Sequence, residues 1–326
     1  MLILTDAEVD ALVTPEVAIA LAMEAYRAHA ARHFPPPGRL SFRQAAPPSG
    51  ALVLAGMGDG ADLVVKANIH GWPAGRAAPR RTSSLLTLWD LEAALPSALL
   101  AAAAFNDHRT AGGLAAAARL LAPPAARRLA LFGAGKIARA ALRTMAAAFP
   151  LEEVRIVSRS LGRAQALAAE TRAAAPRVQA LADAAAAVRD ADIVLCATSA
   201  EAAVFPGDAV PDGALVLLAG ATRGDAREAD DALMRRALVW ADDAEDALAK
   251  GGDIRLPLAS GALDPARWQG EIGALAAPPR GRQPRVFKSI GIAAQDLLLA
   301  RHVVAQAEAR GIGLRHAMFG AWDAQS

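Results

Sequence analysis

Apolar and polar positions follow two periods along this chain, and the change from one to the other divides it. Thr5-Asp6 and then Thr14-Pro15-Glu16 are helix-start signals. The second has proline at the first helical position and opens an amphipathic segment running to about His33. Pro35-Pro36-Pro37-Gly38 ends it, and Arg39 and Arg43 follow, flanking Leu40-Ser41-Phe42. Short β-prone runs come next, at Ala51 to Ala55, Leu63 to His70, Ser84 to Trp89 and Ser97 to Ala102, joined by Gly- and Pro-bearing turns. They predict an antiparallel or mixed sheet. Asn106-Asp107-His108-Arg109-Thr110 then precedes a helix over 111–121, with Asp107 or Asn106 as its N-cap. That spacing puts Arg109 in the first helical turn, where the dipole disfavours a cation unless an anion such as a substrate carboxylate shares the spot.

Beyond Ala122-Pro123-Pro124-Ala125, the expected domain boundary, the pattern becomes an alternation. Strands are expected at 128–132, 153–158, 177–181, 192–197, 214–219 and 237–241, and helices at 136–148, 161–174, 182–189 and 228–236. A last strand, Arg285-Val286-Phe287-Lys288, leads through Ser289-Ile290-Gly291 into a long helix to about Arg310. Such alternation implies a doubly wound parallel sheet covered by helices on both faces. The expected fold is therefore α/β: a Rossmann-type domain over 122–290, and an α+β substrate and dimerisation domain over 1–121 completed by the C-terminal helix in 291–326.

The second domain opens with Leu129-Ala130-Leu131-Phe132-Gly133-Ala134-Gly135-Lys136-Ile137-Ala138, an apolar run, a glycine-rich turn and a helix start. Gly133 permits the tight turn, Gly135 lets backbone N–H groups approach a pyrophosphate, and small Ala138 lets the helix press onto the sheet. The positive end of the helix dipole then faces the phosphates. A dinucleotide site of this type selects NAD through an acid at the end of the second strand, and NADP through positive charge there. Here the strand ends Ile156-Val157-Ser158-Arg159-Ser160, with no carboxylate, so NADP(H) is preferred and NAD(H) remains possible. Within the first domain, alternation puts Val64, Lys66, Asn68 and His70 on one strand face, and Leu63, Val65, Ala67 and Ile69 on the other. The polar face is either a solvated outer surface or the lining of a site.

Composition narrows the partners. The 326 residues are 54% hydrophobic, enough for a large core, and 35 basic against 33 acidic residues leave a formal charge of +2 with no basic block. Nucleic acid is not implied. No stretch reads as a secretory signal or a membrane span, which points to a soluble protein in a reducing, cytoplasmic location. The single cysteine, Cys196, lies in an apolar run and reads as a buried small hydrophobe. His29 and His33 sit one helical turn apart, but no third ligand is evident; a solvated helix face explains the pair, and no metal is expected.

Several stretches, in order over nearly the whole chain, resemble the ornithine cyclodeaminase/mu-crystallin family. They are Gly38-Arg39, Val65-Lys66, Arg109-Thr110-Ala111, Gly133-Ala134-Gly135, Glu153-Val154-Arg155-Ile156, Ala191-Asp192-Ile193-Val194, Gly220-Ala221 and Val286-Phe287-Lys288-Ser289-Ile290-Gly291. The resemblance implies a homodimer built through the N-terminal sheet, a small amino- or imino-acid substrate, and an active site between that domain and the nicotinamide end of the Rossmann domain. It assigns the substrate carboxylate to Arg39 and Arg109, and places Lys66 beside the reacting carbon and nitrogen. The dinucleotide is expected to meet Gly133, Ala134, Gly135, Lys136, Ile137, Ser158, Arg159, Ser160, Thr198, Gly220, Lys288 and Gly291.

One departure bears on the reaction. Where cyclodeaminases carry a Gly-Gly-Asp stretch whose aspartate acts as base, this chain has Gly220-Ala221-Thr222-Arg223-Gly224-Asp225, and Thr222 takes the aspartate's place. A hydroxyl does not take up a proton near neutral pH. Reductases of the family resemble this chain there. The expectation is reduction of an imine bearing a carboxylate, with Lys66, Arg39, Arg109 and Thr222 as catalytic residues. The alternatives are redox-neutral cyclodeamination with bound NAD, with Asp225 swinging in as base, and a nucleotide-dependent binding protein with little turnover. The acids of Glu228-Ala229-Asp230-Asp231 read as compensation of a helix dipole.

Overall fold

The computed structural model describes residues 1–35, 37–45, 49–71, 81–221 and 223–317, and these fall into two compact units. Met1–Thr14, Arg32–Arg109 and the chain from Ala293 form the first; Pro15–Ala31 and Thr110–Ile292 form the second. The chain begins with β1 (Leu2–Leu4), α1 (Asp6–Ala11) and α2 (Pro15–Ala30), followed by β2 (Gly38–Gln44), β3 (Ser49–Met57), β4 (Asp62–Gly71), β5 (Arg81–Asp90) and β6 (Leu95–Ala101). Next come α3 (Ala103–Leu121), β7 (Arg128–Phe132), α4 (Lys136–Ala148), β8 (Glu153–Val157), α5 (Leu161–Glu170), β9 (Arg177–Leu181), α6 (Ala184–Val188), β10 (Ile193–Cys196) and β11 (Leu215–Leu218). The rest is α7 (Asp231–Met234), β12 (Leu238–Ala241), α8 (Ala244–Lys250), α9 (Gly252–Ala259), β13 (Trp268–Glu271), β14 (Arg285–Lys288), α10 (Ala293–Arg310) and β15 (Leu314–Arg315).

In the first unit, seven strands lie in the order β15-β1-β6-β5-β4-β3-β2. β2 to β6 pair antiparallel and β1 joins β6 in parallel, giving the mixed sheet the pattern predicts. α10 packs on this sheet where Gly56 leaves room, since a Cβ there would collide with Ala293. That side carries the buried residues Leu54, Val64, Lys66, Leu86, Leu88 and Leu100. On the opposite side, Leu40, Val53, Ala67 and Leu85 stand in one cross-strand row, and Leu40, Phe42, Ile69 and Leu85 are each at least half exposed.

The second unit holds eight strands, all parallel, in the order β13-β12-β14-β11-β10-β7-β8-β9. Every residue of β10 and β11 is buried, which is why these runs read as uninterrupted apolar stretches. β7 to β9 run outward one way and β10 to β14 the other, so the order reverses between β7 and β10. α2 belongs here rather than with the first unit: Gly112 and Gly273 bring their backbones against the Ala18 and Tyr26 carbonyls, and Tyr26 packs edge-on to Phe287 with centroids 5.9 Å apart. The C-terminal part of α3, from Thr110, also groups with this unit, ahead of the boundary the proline pair suggests.

Two local expectations are corrected. α3 begins at Ala103, because the Asp6 carboxylate accepts from the N–H groups of Ala103 and Ala104 and caps it from outside. Asn106 and Asp107 are therefore interior, and Arg109 stands in the second turn, beyond the strongest part of the dipole. The helix expected at 228–236 shrinks to α7, N-capped by Asp230 through the Leu233 N–H. Among the described residues no helix is long and apolar enough to cross a membrane.

Candidate active site

In the first unit, the polar face of β4 points inward. Lys66 is 1% exposed, and its Nζ straddles the carboxylate of Asp296, 2.7 Å from Oδ1 and 2.6 Å from Oδ2. Asp296, in the first turn of α10, is itself fully buried. Arg109 puts its Nε 3.2 Å from the same Oδ1. Lys66 and Arg109 thus share one carboxylate, and Arg39 stands in the Lys66 row across β3, in the register Arg39, Leu54, Lys66. Two cations thus meet one anion, and the Arg39 charge acts on Lys66 as well. Burial, the Arg109 charge and the Arg39 charge draw the Lys66 ammonium down to about 7, against the upward pull of Asp296. A lysine so placed exchanges its proton near neutral pH.

Asn68, two residues along the same face, lies at the next level. Its Oδ1 accepts from Ser84 Oγ at 2.6 Å and from Asn106 Nδ2 at 2.8 Å. Asn106 is three residues before Arg109, one helical turn, so both share a face of α3. His108, on another face, is bound to Asp10 Oδ1 at 2.8 Å. His70 packs over Gly50, where a Cβ would lie 2.6 Å from the ring.

The second unit presents a separate cradle at the C-terminal ends of its strands, at the point where strand order reverses, the usual place for a ligand in such sheets. Gly133 has φ +114°, and a Cβ there would stand 2.5 Å from the Ala197 carbonyl oxygen. Only glycine fits. At Gly135 a Cβ would meet nothing within 4 Å. Gly135 is the N-cap of α4 and offers no side-chain cap, leaving the first-turn N–H groups of Lys136 and Ile137 open to an anion. Gly135 and Lys136 are exposed while Ala138 is buried against the sheet. These features fit the pyrophosphate of a dinucleotide. After β8, Arg159 Nη2 reaches Ser199 Oγ at 3.4 Å, and Ser160 caps α5 through the Arg163 N–H; Ser158 stands between them and the strand.

Glu228 has a role its sequence neighbours disguise. It is fully buried: Oε1 accepts from the Thr198 N–H and hydroxyl, both at 2.8 Å, and Oε2 from the Gly220 N–H at 2.7 Å. It clamps the segments leaving β10 and β11, rather than compensating a helix dipole. Burial raises its pKa, against the pull of Lys288. Lys288 is fully buried with Nζ 2.8 Å from Asp253 Oδ2, while Asp253 Oδ1 accepts from the N–H groups of Glu228 and Ala229. Lys288 is thus spent inside the scaffold. The Gly291 N–H is likewise taken by Asp242 Oδ2, at 2.8 Å. Thr222 lies outside the described residues. Asp225 is three-quarters exposed and its Oδ1 is 3.0 Å from Arg223 Nε.

His29 does not lie on a solvated face. Its Nε2 is 3.3 Å from Asp243 Oδ2 and 4.0 Å from Glu271 Oε1, the three side chains being nearly buried together. Two acids more than 200 positions along the sequence from His29 supply partners that helical spacing alone does not reveal.

Comparison with known proteins agrees with this architecture. Residues 3–311 match the ornithine cyclodeaminase/mu-crystallin family. The chain is 33% identical over 268 residues to a delta(1)-pyrroline-2-carboxylate reductase of Paracoccus denitrificans, covering 79% of this chain and 84% of the relative. It is 35% identical over 195 residues to the ketimine reductase mu-crystallin of Mus musculus, covering 60% of each. Among solved structures, a Thermococcus litoralis delta(1)-pyrroline-2-carboxylate reductase in complex with NADH and L-proline superposes with a TM-score of 0.89 at 23% identity, over 97% of this chain and 100% of that one. The last similarity is one of fold, while the match along 3–311 is one of sequence: this chain belongs to the ornithine cyclodeaminase/mu-crystallin family.

Proposed function

We propose that the protein is an NADPH-preferring reductase of imino acids. The observation that carries this reading is the buried Lys66, held by Asp296, with its pKa near 7 and two arginines beside it. The surplus of positive charge calls for an anion, and the α-carboxylate of an imino acid supplies it, paired with Arg109 and Arg39. Lys66 then gives its proton to the imine nitrogen. The iminium carbon is the stronger electrophile, and the chemistry that a reduced nicotinamide, when bound, would supply is hydride to that carbon. The product amine has gained one proton from Lys66 and one hydride, and Lys66 recovers its proton from solvent.

Arg159 supports the phosphate preference, since it can form paired bonds to a 2′-phosphate at a strand end that lacks a carboxylate. Redox-neutral cyclodeamination would need a base, and the ion pair of Asp225 with Arg223, in open solvent, is a poor one. The exposed apolar face of the first unit supports a homodimer, because a contiguous patch of this kind marks a protein contact.

The test is nucleotide oxidation by purified protein with five- and six-membered cyclic imino carboxylates and with 2-oxo acids plus ammonia. NADPH should be consumed well above NADH, and Arg159→Ala should cut that preference by about tenfold or more. No nucleotide consumption, together with ammonia release from ornithine and NAD, would reverse the reading.

A further inference from the structure

Resting on the reductase reading, the geometry points to a substrate whose side chain ends in an uncharged hydrogen-bonding group, a carboxamide or hydroxyl, read by Asn68 and Asn106. The inner face of β4 in the first unit carries polar groups at two levels. The lower level is ionic: Lys66, Asp296 and Arg109. Two residues along β4, and one turn back along α3, the upper level is neutral: Asn68, Asn106 and Ser84. A strand advances about 3.4 Å per residue, so the two levels are separated by about 6.8 Å.

The hydrogen bonds of the upper level fix which atoms remain for a ligand. Asn68 Oδ1 is taken twice, by Ser84 Oγ at 2.6 Å and by Asn106 Nδ2 at 2.8 Å. The amide of Asn68 cannot turn over without setting its NH2 against another NH2. Its Nδ2 is left as donor and Asn106 Oδ1 as acceptor, on side chains that are half-buried rather than sealed. A donor and an acceptor side by side complement a carboxamide, or a hydroxyl in its two roles. A hydrocarbon side chain would strip water from both without replacing its hydrogen bonds, at a cost in affinity. With the α-carbon at the ionic level, a hydrogen bond of about 2.9 Å to the upper level leaves about 4 Å to span. That is the reach of an oxygen or nitrogen carried on Cγ or Cδ. The positive surplus is spent on the α-carboxylate at the lower level, and among the described residues the hydrogen bonds within the upper level join only the neutral side chains of Asn68, Asn106 and Ser84.

The test uses near-isosteres of the amino-acid product: asparagine, aspartate and leucine, then glutamine, glutamate and methionine. Each is titrated calorimetrically into the dinucleotide-loaded protein, and the matching imino acids are compared by kcat/KM in the nucleotide-oxidation assay. The carboxamide should bind at least about tenfold more tightly than its hydrocarbon and carboxylate counterparts. Asn68→Ala should reduce that ratio to near unity. Ser84→Ala, which frees the Asn68 amide to rotate, should give an intermediate ratio with an unchanged thermal midpoint. Preference for leucine and methionine, or for aspartate and glutamate, would overturn the inference, as would a ratio that Asn68→Ala leaves alone or the absence of any binding. If the titrations show the preference but no imino acid consumes nucleotide, the reductase reading fails while the recognition of the side chain stands.

Discussion

At the residue scale, the chemistry depends on how one ammonium is held. As the proposed proton donor, Lys66 would act only while protonated, so kcat/KM for imine reduction should be highest below about pH 7 and fall as pH rises through that value. Asp296 is the group pulling the pKa up against burial and Arg109. Replacing it with asparagine keeps a similar shape but removes the charge, and the falling limb should move to lower pH. Lys66→Ala should cost about a hundredfold or more, and a pH–rate profile of wild type and Asp296→Asn decides the matter. An unmoved limb would assign the proton to another group. Lys66 was visible in the sequence as one member of a polar strand face, although spacing left open whether that face looked outward. Asp296 was not visible: an acid in a helix's first turn has an ordinary explanation in the dipole, and its partner is 230 positions away. The first-turn argument for Arg109 does not hold, because α3 starts at Ala103. Asp6 caps α3 earlier than the local signal suggests, and the anion that the protein itself sets beside the arginine is Asp296.

At the element scale, the parallel sheet was the most legible part of the molecule. Its central strands β10 and β11 are uninterrupted apolar runs, and β7, α4 and β9 fall where the pattern sets them. α8, α9 and β13 escaped because they are short, and the proline inside α9 disguises its period. The Glu228 clamp gives this scale its prediction. Its two oxygens accept three hydrogen bonds from the segments after β10 and β11, so Glu228→Gln must set an NH2 against one of those N–H groups. The Kd for NADPH should rise about tenfold, measured by fluorescence titration, while KM for the imino acid changes less. A lowered thermal midpoint with unaltered nucleotide affinity would make Glu228 a folding residue only.

At the scale of the whole molecule, the outer face of the first sheet carries an expectation of its own. Leu40, Phe42, Ile69 and Leu85 form an apolar surface that a second copy of the chain would cover, and Leu40→Glu with Phe42→Lys should yield monomer by sedimentation equilibrium. Retention of the wild-type mass would exclude this face as the contact. The first unit is also assembled from both ends of the chain: β15 pairs with β1, and α10 brings Asp296 to Lys66. On the ribosome this order has a consequence. The central stretch of the second unit, 110–292, can leave the exit tunnel and collapse while the first sheet waits for its last helix. Lys66 emerges early, yet it stays without its counter-ion until residue 296 has been made, so the buried ammonium is paired only after the central stretch of the second unit has been synthesised.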